Sequence, residues 1–167
     1  MNHDNLANYL NNHLAGAVAV IELVKQAVSE NSSSELGKWL ERFLAELEDD
    51  RETVRRILRE IGSTEHTVKK LGAWVLEKMA TTRLSDMAMA GGSPHLRRVL
   101  ELEAMLIGTH GRRGMWRLLE LFHDGSHESD SDYVFRQQRA ERQAADLEAL
   151  REQEAAAAFT GETSRTT

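Results

Sequence analysis

Apolar residues in this chain recur three or four positions apart over long stretches, and a single proline, Pro94, stands among 167 residues. That spacing lines one face of an α-helix, and proline is the residue that most reliably breaks a helix. Leu6, Leu10, Leu14, Ala17, Ile21, Val24 and Val28 predict a first helix from about Asn5 to Val28. The run Asn31-Ser32-Ser33-Ser34 ends it, and Ser32 with Glu35 has the spacing of a capping box that starts a second. Leu36, Leu40, Phe43, Leu47, Val54, Leu58 and Ile61 form the second stripe, and Gly62 fits a left-handed C-terminal position.

A third, shorter helix is expected from Thr64 to Thr81, followed by a loop over Leu84 to Gly92. Ser93-Pro94 joins a serine cap to proline at the first helical position, so a fourth helix starts there and runs to about Phe122. An acidic linker, His123 to Asp132, leads into a charged fifth helix, Ser131 to Ala158. Its thin stripe of Tyr133, Ala140, Ala144 and Leu147 predicts packing by one narrow edge. Residues 1–158 read as a single helical domain and 159–167 as a disordered polar tail. No β-branched alternating segment with hairpin turns is present. Short turns between long amphipathic helices make sequential neighbours antiparallel. The fold class is therefore all-α: an antiparallel four-helix bundle with an additional C-terminal helix.

Composition removes several functions. The chain has no cysteine, which excludes disulfides, iron–sulfur clusters, thiolate zinc sites and a cysteine nucleophile. The net charge is −6, and basic pairs such as Arg55-Arg56 and Arg112-Arg113 are scattered among acids, which argues against nucleic-acid binding. The most apolar run, Leu14 to Val24, is short and contains Glu22, so it reads as a buried face and no membrane partner is expected. Met-Asn-His-Asp lacks the basic region and apolar core of a signal peptide, and a cytoplasmic address follows as the expectation.

Four polar residues interrupt the apolar stripes: His13 on the first helix, Asp50 on the second, Glu103 and His110 on the fourth. At about 1.5 Å rise per residue, His13, Asp50 and His110 fall within roughly one turn of a common level, with Glu103 to one side. A buried hydrogen-bonded histidine–carboxylate network would satisfy these groups. The same four residues would also suit a site for iron or manganese, although bundle-core carboxylate sites repeat Glu-x-x-His on two helices and that repeat is missing. Gly108, Gly111 and Gly114 recur every three residues on the fourth helix. Each costs up to about 1 kcal/mol relative to alanine, so close approach of a neighbouring helix is expected there.

The segments Tyr-Leu-Asn-Asn-His-Leu-Ala-Gly-Ala (9–17), Glu-Leu-Glu-Asp-Asp (46–50), Ala-Trp-Val-Leu-Glu-Lys (73–78) and Leu-Glu-Ala-Met-Leu-Ile-Gly-Thr-His-Gly (102–111), with Met-Trp-Arg (115–117), carry a family likeness. Over residues 6–155 the chain resembles small bacterial ferritin-like proteins of unassigned function. The resemblance implies a ferritin-like bundle and transfers no metal ligands. No signature names a reaction. The expected function is non-enzymatic binding or assembly, through a protein partner or self-association and without a cofactor. The alternatives are an iron- or manganese-binding bundle with oxidoreductase chemistry at His13, Asp50, Glu103 and His110, and a helical regulator presenting its charged fifth helix to a partner.

Overall fold

The structure, a computed structural model, describes residues 2–63, 93–122 and 130–160. These form four α-helices and no strand: α1 His3–Glu30, α2 Glu35–Glu60, α3 Pro94–Phe122 and α4 Asp130–Thr160. The expected helix at Thr64–Thr81 and loop at Leu84–Gly92 lie outside the described residues, as do 161–167 of the expected tail. Phe159 and Thr160, also assigned to that tail, still belong to α4.

Helix boundaries follow local chemistry. The Asn2 side chain accepts from the Asn5 amide at 3.1 Å and starts α1. The cap of α2 is Ser34, not Ser32. Ser34 has extended backbone angles and its hydroxyl accepts from the Gly37 amide at 3.0 Å. Ser32 is instead enclosed in the turn that the Ser34 amide closes onto the Asn31 carbonyl at 3.0 Å. Gly62, at φ +74°, ends α2: its amide reaches the Arg59 carbonyl and that of Ser63 reaches Leu58, a pairing that requires the left-handed residue glycine supplies. The Ser93 hydroxyl accepts from the Leu96 amide and starts α3.

Two apolar layers fix the directions of the helices. One joins Leu10 and Leu14 of α1, Val54, Ile57 and Leu58 of α2, Trp116 and Leu119 of α3, and Tyr133 of α4. The other joins Ile21 and Val24, Leu40 and Phe43, Leu102 and Met105, and Leu147. Hence α1 and α2 are antiparallel, α3 and α4 are antiparallel, and α2 runs in the same direction as α3. The connection between Ser63 and Ser93 therefore starts at one end of the bundle and finishes at the other.

One expectation about packing is corrected and one holds. The buried face of α3 carries Val99, Leu102, Met105, Thr109, Arg112, Trp116 and Leu119, whereas the spacing predicts a face through Leu96, Val99 or Leu100, Glu103, Leu106 or Ile107, His110 and Gly114, which shares only Val99 with it. Ile107 is 73% exposed and His110 and Gly114 are exposed. Because α3 is apolar on more than one side, periodicity admits both faces, and the partner helices choose between them. The stripe expected on α4 is the one that packs: Tyr133, Ala140, Ala144 and Leu147 are all buried, Tyr133 in one apolar layer and Leu147 in the other, and α3 and α4 are the most extensively packed of the described helix pairs. No described helix is long and apolar enough to cross a membrane.

Candidate functional site

Glu46, Asp49 and Asp50 lie three and four positions apart, so they share one side of α2. On α4 the stripe of Tyr133, Ala140, Ala144 and Leu147 passes through Arg136 and Gln143 at the same spacing, with Arg139 beside it. Where the two helices face each other, Asp50 receives three arginines. Arg136 Nη1 donates to its Oδ1 at 2.7 Å, Arg139 Nη2 to the same oxygen at 2.5 Å, and Arg112 Nη1 of α3 lies 3.2 Å from Oδ2. Asp49 takes Arg136 at 2.7 Å and Arg139 at 2.9 Å, and Asp132 takes Arg136 Nε at 3.1 Å. Arg112 Nη2 also donates to the Gln143 side chain, whose own amide donates to Glu46.

Asp50 is 3% exposed, Arg112 8% and Arg136 8%. Burial of charges at this depth is sustained only by dense pairing. Burial works against the charge on Arg136, but the hydrogen bonds it donates to Asp49, Asp50 and Asp132 outweigh it and raise its pKa. Arg112 goes the other way: burial lowers its pKa, and Asp50 offsets this only in part. The guanidiniums also stack on apolar rings, Arg136 over Trp116 at 5.3 Å and Arg112 over Phe43 at 5.6 Å.

Beside this cluster a groove of about 450 Å³ opens between α1, α2 and α3. Gly16, Ala17 and Val20 form its α1 wall; Leu47, Arg51 and Val54 its α2 wall; Ala104, Ile107, Gly111 and Met115 its α3 wall. Asp50 and Arg112 also line it, and its accessible lining is mostly apolar. His13 and Tyr9 stand at its α1 side, their rings edge to face at 4.6 Å. Burial lowers the His13 pKa and favours its neutral form.

The four residues singled out from the sequence are thus divided. His13 and Asp50 line one groove. Asp50 is hydrogen-bonded by arginines, where a histidine partner was expected. Glu103 pairs with Arg151 of α4 at 2.9 Å, and His110 is exposed. Among the described residues, no group of three or more His, Asp or Glu gathers in a way that could hold a metal ion. A Glu-x-x-His spacing does occur at Glu120 and His123, but Glu120 accepts from Arg117 at 2.6 Å and His123 lies outside the described residues.

Sequence reasoning missed Arg112, Arg136, Arg139 and Gln143. The signal for Arg136 and Gln143 was their place in the α4 stripe. Arg112 had none, because it belongs to the face of α3 that periodicity did not select. Comparison with protein-family models, with curated proteins and with solved structures gave no match.

Proposed function

We propose that this protein is a non-enzymatic binding bundle of ferritin-like type, and that the groove between α1, α2 and α3 receives a small, largely apolar molecule. The observation that carries this reading is the groove itself: about 450 Å³, apolar, with the buried Asp50–Arg112 pair in its lining. Its size falls within the usual range of small-molecule sites, and such sites combine an apolar wall with a few fixed polar groups. The ferritin-like type is supported by topology, since two antiparallel pairs joined by one end-to-end connection are the arrangement of that class. The arginine–carboxylate cluster offers a fixed polar frame and no free nucleophile: its arginines remain protonated and its carboxylates are shared among them.

The test is saturable binding of N-phenyl-1-naphthylamine, a neutral fluorophore that brightens in apolar surroundings. Wild type should take up about one equivalent. Gly16→Trp, which places a ring in open space at the groove wall, should abolish uptake with an unchanged helical circular-dichroism signal. Equal uptake by a folded Gly16→Trp would refute the groove as the site. So would stoichiometric iron or manganese in untagged protein that His13→Ala removes.

A further inference from the structure

The outward face of α3 is apolar along most of its length. Leu100, Ile107, Leu118 and Leu121 are between 41% and 73% exposed, and Ala104, Gly111 and Gly114, exposed as well, stand between them. These positions alternate four and three apart, the seam of a helix that packs against another helix. No charged residue interrupts the seam. Exposed apolar residues scattered singly are ordinary, whereas a continuous strip marks an interaction surface.

The order of residues along the strip identifies what covers it. Turned end for end about the level of His110 and Gly111, the strip matches itself: Leu100 comes level with Leu121, Ala104 with Leu118 and Ile107 with Gly114, each to within one residue. Large side chains then oppose small ones on both sides of the centre, which suits a two-fold contact. The charges on one flank obey the same symmetry. Glu103, His110 and Arg117 follow at seven-residue intervals beside the strip. Two antiparallel copies set Glu103 of each against Arg117 of the other, whereas parallel copies would set like charges together. Each has a partner in its own chain, Arg151 at 2.9 Å and Glu120 at 2.6 Å, yet their side chains stay 41% and 51% exposed and can be shared. We propose that this face of α3 receives a second copy of the chain, packed antiparallel about a two-fold axis near His110. The strip is about 32 Å long and one helix wide, a footprint on the order of 300 Å² per copy. That is below the ~800 Å² of a standard interface, so the dimer is weak and depends on concentration.

The experiment is sedimentation equilibrium of the full-length protein from micromolar to millimolar concentration. A monomer–dimer equilibrium is expected, without larger species, because a two-fold contact closes on itself. Leu118→Glu, at a position outside the groove lining, should raise the dissociation constant at least about tenfold with an unchanged helical circular-dichroism signal. Glu103→Arg and Arg117→Glu should each weaken the dimer. The two changes in one chain should restore it, since the exchanged charges oppose again in the antiparallel arrangement. A protein monomeric at every concentration overturns the proposal; residues 64–92 of the same chain, or a different protein, would then cover the strip. So does a dimer that a folded Leu118→Glu leaves intact, or one that the charge exchange fails to weaken singly and restore doubly. Fluorophore uptake by the groove is measured separately, and its failure leaves these outcomes unchanged.

Discussion

At the scale of single residues, Asp50 is the position on which the site depends. It sits on the α2 stripe where a leucine would fit the pattern, and sequence logic suggests that Asp50→Leu should be mild. The structure reverses that expectation. Removing the carboxylate leaves Arg112, Arg136 and Arg139 short of their shared acceptor at a buried position, and leucine supplies no acceptor. Asp50→Leu and Asp50→Ala should therefore both destabilise by about 3–5 kcal/mol in denaturant unfolding, the range for breaking a buried ion pair. A leucine variant near wild-type stability would mean that the arginines find other partners and that the cluster is not what holds Asp50 inside. Exposed His110, by contrast, should tolerate alanine within about 0.5 kcal/mol.

At the scale of elements, the three glycines of α3 have different causes. Gly108 is a close-approach site: a Cβ there would lie 2.7 Å from Val20 Cγ2 on α1, and valine is stiff at χ1. Gly111 and Gly114 have nothing within 4 Å of a built Cβ. The close approach expected along this glycine run is thus found at Gly108 and not at Gly111 or Gly114. Gly111→Ala should stabilise the protein by up to about 1 kcal/mol through helix propensity alone. Gly108→Ala should lose that gain against Val20, and the double change with Val20→Ala should show a favourable coupling of about 0.5 kcal/mol or more. Additive effects in the double-mutant cycle would place α1 and α3 farther apart than described.

At the scale of the whole molecule, α4 is the element that makes the bundle cohere. It supplies Tyr133 and Leu147 to the two apolar layers and Arg136, Arg139 and Gln143 to the ion cluster. A helix presented to an outside partner would be dispensable for folding. Here a chain ending at residue 129 should lose cooperative unfolding and more helical signal than α4 itself contributes, and should bind a hydrophobic dye throughout. A truncated protein that still unfolds in one sharp transition would show that α1–α3 form the stable unit and would return α4 to the role of an appendage.

What the sequence determined by itself was local. The 3.6-residue period, the serine at position 93 before Pro94 and the glycine at 62 placed helix types and ends to within a few residues, because capping and propensity act over one or two turns. The period also put Asp50 and His13 on inward-facing stripes, and both line the groove. Only the tertiary structure decided which side of α3 is buried, since that helix is apolar around much of its circumference and Arg112 becomes a core residue only where Asp50 meets it. Partner choice was beyond reach for the same reason. A buried carboxylate takes whichever cation the opposing helix presents, and the presenting residues Arg136 and Arg139 lie 86 and 89 positions away along the chain.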